Sequence, residues 1–209
     1  MPKTLALKKL AGAQVGFGRF SGPHGDIPGN GMLIAIDANI EHGKTLAAGA
    51  IVGAQRLMLN ADYCAIAQIT HTIKRFPGNL KSLHIVTHSS PGCLHFSSGD
   101  ITLANLHTYA EKIESWFSYQ PLTKGSKVKI KEPYSSLSLY ASSLATGDAG
   151  RDFLENLHYL TGVSIHASKG NVGGTAPNGS WQLEVAYPFP RQTIFPFTNE
   201  LLETYQAAA

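Results

Sequence analysis

The run from Met32 to Ile36, MLIAI, constrains this chain most. Five apolar residues in succession leave no alternate polar position, so the segment cannot be a strand with one wet face. It reads as a strand buried on both faces, the pattern of a parallel sheet, and it is followed at once by Asp37. AQRLMLN, SLHIVTH, SLSLYAS, VSIHAS and WQLEVAY read as five further strands. Between them lie helical patterns. One runs from about Asp62, a plausible N-cap, to Phe76, where Pro77-Gly78 stops it. Another runs from about Leu103 to Phe117, and a third through GRDFLENLHYLTG, where Gly162 makes a natural C-cap. Strands alternating with helices imply an α/β domain with a mostly parallel six-stranded sheet and helices on both faces, a three-layer sandwich.

The chain has 209 residues, enough for one sizeable core. No internal repeat divides it. Residues 1–30 are Gly-rich and irregular and read as an arm, residues 31–190 as the domain, and residues 191–209 as a tail or last helix. CLHFSSGDITL reads as a hairpin around Ser98-Gly99-Asp100. A net charge of +3 is too weak a bias to argue for nucleic acid, and Lys124, Lys127, Lys129 and Lys131 read as a solvated hairpin or loop. No run of eighteen apolar residues occurs, so no membrane span is expected. The start has no unbroken apolar stretch of signal-peptide length, which reads as cytoplasmic, with an extracellular setting open for a piece of a larger secreted protein.

Open parallel sheets gather working groups at the carboxyl ends of their strands. Asp37 follows the first strand, His88 the third and Ser142 the fourth, the last in SSLSLYASSLATGDAG. The order histidine then serine argues against the α/β-hydrolase plan, which runs nucleophile, acid, histidine and needs G-x-S-x-G; YASSL has no such glycines. A triad of Ser142, Asp148 and His166 leaves too little chain between its members. A histidine roughly 50 residues before a nucleophile, each after a core strand, is instead the caspase spacing.

SLHIVTHSSPGCLHFSSGDITLANLHTYAEKIESW, then LSLYASSLATGDAGRDFLENLHYLTGVSIHASKGNVGG and SWQLE, resemble the bacterial family called domain of unknown function 4347, which is similar to the caspase and gingipain superfamily of cysteine peptidases. The likeness runs from Met32 to about Val185. It implies a His-Gly-Ser-Pro-Gly turn and, later, Leu-Tyr-Gly-Cys before a helix. The histidine falls on His88, the turn on Ser89, Ser90, Pro91 and Gly92, the second glycine on Ala141 and the cysteine on Ser142. Ser89 stands where the resemblance implies a glycine whose turn helps hold an oxyanion, and Ser142 where it implies the thiol. A thiolate beside histidine is a strong nucleophile, whereas a serine hydroxyl stays protonated and needs a base already aimed at it.

Three functions are therefore expected. The first is a caspase-like endopeptidase domain present as an inactive Cys-to-Ser form, self-processing or cutting after basic residues. Its base would be His88, its nucleophile position 142, and its oxyanion turn Ser89, Gly92 and Ala141. Asp37 resembles the acid that receives a basic P1 side chain; the plainer alternative is that it binds loop amides. The second function is a pseudopeptidase that serves as a binding or architectural module. The third is a serine hydrolase. The partner is a polypeptide substrate or a protein, with no nucleic acid, no membrane and no cofactor. Asp148 reads as an N-cap, and GNVGGTAPNG as a crossover without a phosphate-cradle motif. His84, His88 and His95 make only a weak metal pattern, so no metal is expected. Cys64 reads as a buried helix residue and Cys93 as a thiol after a turn.

Overall fold

The computed structural model describes residues 30–119, 130–131, 135–174, 178–190 and 194–205. The arm expected over 1–30 lies outside the described residues but for Asn30, as do Lys124, Lys127 and Lys129. The main sheet has six strands: β1 (Met32–Ile36), β2 (Gln55–Met58), β3 (Ser82–Val86), β9 (Ser136–Tyr140), β10 (Ser164–Ala167) and β11 (Val185–Tyr187). Their spatial order is β11-β10-β9-β3-β1-β2, and all neighbours are parallel except the β10–β11 pair. A second sheet of three short antiparallel strands, β4 (His88–Ser90), β5 (Cys93–Phe96) and β6 (Gly99–Thr102), follows β3 at its carboxyl end. Strands β7 (Ser118–Tyr119) and β8 (Ile130–Lys131) form a two-stranded antiparallel pair.

The parity of each strand divides the core in two. Leu33, Ala35, Leu83, Ile85, Leu137, Leu139 and Ile165 face one side. There they meet α2 (Ala65–Lys74), the broken helix α3–α4 (Leu103–Leu106 and Ala110–Glu114) and α5 (Gly147–Thr161). Phe153 is fully buried on α5, and sealing a side chain of that size stabilises the fold by about 2–3 kcal/mol. Met32, Ile34, Ile36, Val86 and Tyr140 face the other side and meet α1 (Gly43–Ala48), Trp181 and the tail with its short helix α6 (Asn199–Thr204). Tyr140, Trp181, Phe195, Phe197 and Tyr205 form a cluster whose contacting ring centroids are 5.5 to 6.4 Å apart. The six-stranded, mostly parallel sheet with helices packed against it forms as the alternation implies.

Several boundaries differ from the sequence reading, each for a local reason. The helix expected from Asp62 starts at Ala65, because the Gln68 side chain donates to the carbonyls of Asn60 and Tyr63 and accepts from the Asn60 N–H, holding 60–63 in a turn. Cys64 is therefore the exposed N-cap of α2 and not a buried helix residue. The helix expected over 103–117 is interrupted by a 3-10 turn at His107–Tyr109 and ends at Glu114. Asp148 lies in the first turn of α5, paired with Arg151 at 3.1 Å, and Thr146 takes the N-cap position. Gly162 closes α5 as expected, with φ of +69° and its N–H donating to the His158 carbonyl.

Candidate functional site

Strands β3 and β9 are central neighbours, with Val86 beside Tyr140 and the Thr87 N–H donating to the Tyr140 carbonyl at 3.3 Å. Two residues further on, His88 and Ser142 leave the sheet at adjacent carboxyl ends. Their loops are tied directly: the Ser89 hydroxyl donates to the Ser142 carbonyl at 2.5 Å, and the Gly92 N–H to the Leu144 carbonyl at 3.0 Å.

Each side chain meets a main-chain group of a third loop. His88 is exposed, and its hydrogen bond among the described residues runs from Nε2 to the Asn39 carbonyl at 3.4 Å, in the loop after β1. The Ser142 Oγ accepts from the Val172 N–H at 3.0 Å. Ser143 takes a left-handed conformation, φ +61°, and its N–H donates to the Gly170 carbonyl at 2.8 Å. Glu184 fixes the loop that supplies those partners. It accepts from the N–H groups of Lys169 and Gly170 and from the Ser168 hydroxyl. Burial works to raise its pKa, but these donors outweigh burial and hold the carboxyl below its ordinary value. Ala141 is fully buried and faces the helix-packed core.

Asp37 is 1% exposed. Its two oxygens accept from the Ser97 N–H at 3.0 and 3.2 Å, the Ser97 hydroxyl at 2.9 Å and the Asn39 N–H at 3.2 Å. The carboxylate thus pins the β5–β6 turn over the end of β1, the loop-binding role given above as the plainer alternative.

Two clusters escaped the sequence reading. On the outward face of the small sheet, Asp100 Oδ1 lies 2.8 Å from His95 Nδ1, Cys93 Sγ 3.5 Å from the same nitrogen, and Ser90 Oγ 2.9 Å from Nε2. Burial and the Asp100 charge raise the Cys93 thiol pKa against a hydrogen bond from Ser90. The expected hairpin around Ser98-Gly99-Asp100 contained the signal, since its pairing sets His95 opposite Asp100. In the main sheet, His84, Ser138 and His166 stand side by side on β3, β9 and β10. Both nitrogens of His84, the Ser138 hydroxyl and His166 Nε2 are buried without a hydrogen-bond partner among the described residues. Burial, and secondarily the nearby His166, lowers the His84 pKa from 6.5 to about 3, so the ring is neutral near pH 7. His84 does not converge with His88 and His95, and His166 lies in this buried row, away from the exposed Asp148.

Comparison with known proteins adds one positive finding. A family model described as domain of unknown function (DUF4347) matches residues 33–208. The chain belongs to this family. No curated protein and no solved structure matches it. The DUF4347 match runs well beyond Val185, so the tail is part of the family domain and not an appendage to it. Its packing agrees: Phe197 pairs with Ala50 through a backbone bridge, and Leu201 and Tyr205 are buried. Among the described residues, no helix is long and apolar enough to cross a membrane.

Proposed function

We propose that this DUF4347 domain keeps a caspase-like frame but binds a polypeptide without cutting it. The observation that carries the reading is the hydrogen bond from the Ser89 hydroxyl to the Ser142 carbonyl. In the resembling peptidases these two positions are a glycine, in the turn that meets the oxyanion, and the nucleophilic cysteine. Catalysis there needs backbone donors and a reactive side chain free to face the substrate. Here the two side chains bind parts of the protein itself, since the Ser142 Oγ accepts from Val172. The N–H groups of Gly92 and Ser143 are engaged by the Leu144 and Gly170 carbonyls. A hydroxyl also needs a base aimed at it, and His88 is turned to Asn39.

A single replacement at position 142 would leave glycine at 89, whereas here both positions carry serine and both hydroxyls are bonded to main-chain groups of the protein. That favours a binding module over a peptidase disabled at one residue, and the same bonds disfavour a serine hydrolase. The Asp37 carboxylate, held by Ser97 and Asn39, supports a structural role over reception of a basic side chain. The partner would meet the rim formed by the loops after β1, β3 and β9, at the carboxyl ends where α/β sheets bind ligands.

The test restores the expected catalytic residues. Ser142→Cys and the double variant Ser89→Gly/Ser142→Cys, each with and without His88→Ala, would be incubated alone and with a mixed peptide library and read by mass spectrometry. The expected result is no cleavage that depends on His88, and alkylation at position 142 no faster than at exposed Cys64. Cleavage that requires both the new thiol and His88 would overturn the reading, establishing a peptidase with a single lesion if Ser142→Cys alone cuts and with two if only the double variant does.

A further inference from the structure

The polar face of the β4–β5–β6 sheet gathers three donors of different chemistry around one point. Cys93 and His95 are two apart on β5 and so share a face. Asp100 pairs with His95 across the β5–β6 turn, and Ser90 pairs with Cys93 across the β4–β5 turn. The opposite face of the same strands is fixed in the core by Leu94, Phe96 and Ile101, so the register that presents the donors cannot slip without exposing those side chains.

One ligand atom from each of Cys93, His95 and Asp100 lies within 4.8 Å of the other two. We propose that these residues form a binding site for a divalent cation of borderline softness, of which zinc is the type. Thiolate, imidazole and carboxylate are the three side chains that bind zinc, at about 2.0–2.3 Å, which in a tetrahedral site sets the donors about 3.3–3.8 Å apart. Sγ and Nδ1 already stand 3.5 Å apart, and the carboxylate needs only a small side-chain rotation from its 2.8 Å contact with Nδ1. The outer shell is also in place. Ser90 Oγ, 2.9 Å from Nε2, can accept the Nε2–H and so leaves Nδ1 as the lone-pair nitrogen facing the cation. Three protein ligands leave a fourth position for water or another ligand.

The 209-residue chain would be titrated with cobalt(II), which reports thiolate ligation as a charge-transfer band in the near ultraviolet, and then with zinc to displace it. One equivalent should give the band, and zinc should abolish it. Cys64→Ser should leave the band unchanged and Cys93→Ser should remove it. Ser90→Ala, which touches no cation, should weaken binding about tenfold or more, as outer-shell losses do. Asp100→Asn alters an exposed side chain of β6 and carries the test if Cys93→Ser fails to fold: circular dichroism should be unchanged and affinity at least tenfold lower. No band at millimolar cobalt, a band that follows Cys64 and not Cys93, or affinity indifferent to Asp100→Asn would overturn the assignment.

Discussion

At the scale of single residues, the fold tolerates polar groups in its core where their chemistry keeps them neutral. His84 sits in the centre of the main sheet with neither ring nitrogen bonded among the described residues. In the unfolded chain this imidazole titrates near 6.5, but in the folded chain only near 3. Between those values the unfolded state binds a proton that the folded state does not, so stability falls as the pH drops below about 6.5. The slope approaches about 1.4 kcal/mol per pH unit and flattens again near pH 3. Chemical denaturation across that range should reveal the slope. His84→Leu should reduce it and leave stability at neutral pH equal or higher, since it replaces an unbonded polar ring by an apolar side chain. A variant that keeps the full slope would assign the acid sensitivity to other groups. Nothing in the string SLHIV marks its histidine as unbonded, because pattern reading assigns only the face of the strand. The same limit applies to Asp37: the sequence put it at a strand end, while its partner Ser97 is 60 residues away and is brought there only by the β5–β6 turn.

At the scale of elements, the hairpin that begins at His88 is held against the start of α5. Gly92 is the contact point. Its φ is +70°, its N–H donates to Leu144, and a Cβ there would fall 2.6 Å from the Ala149 carbonyl oxygen. Gly92→Ala should therefore destabilise the domain by more than about 1 kcal/mol, from backbone strain and overlap together. In a chain of this size each kcal/mol lowers the melting temperature by about 2–4 °C, which thermal unfolding would detect. An unchanged melting temperature would mean that the hairpin can lift from α5 at little cost. The elements were the most legible level of the sequence. Unbroken apolar runs identified the buried strands, and glycines and prolines punctuated them. The break inside 103–114 was not legible, because apolar spacing fixes which face is buried and not whether the turns are α or 3-10. For His88, the expected end of β3 fell instead on the first residue of a new sheet. There the Thr87 hydroxyl donates to the His95 carbonyl at 2.9 Å and helps turn the chain out of the main sheet.

At the scale of the whole molecule, the two faces of the sheet are closed by very different parts of the chain. One is covered by helices drawn from the middle of the sequence, the other largely by α1, Trp181 and residues 195–205. Phe197 is 3% exposed, meets Tyr140, Trp181 and Phe195, and belongs to the strand-like bridge to Ala50. Phe197→Ala should cost about 3–5 kcal/mol in urea unfolding. A loss below about 1 kcal/mol would mean that the tail contributes little to the core. In the sequence the resemblance ends near Val185, since TIFPFTNELLETY carries no motif, only aromatic and aliphatic bulk whose destination is a surface made by distant strands.

The tail's position also has a consequence for the order in which the molecule can be completed. Synthesis proceeds from the amino end at about 5–20 residues per second, so β1, β3 and β9 are made well before residues 195–205 emerge. Until then Tyr140 and Trp181 lack the aromatic neighbours Phe195, Phe197 and Tyr205. A nascent chain paused near residue 190 would carry a sheet sealed on one side and open on the other. Closure of that side waits for residues 195–205 to emerge, and the interval before they do is when this domain is most exposed to chaperones and to its own kind.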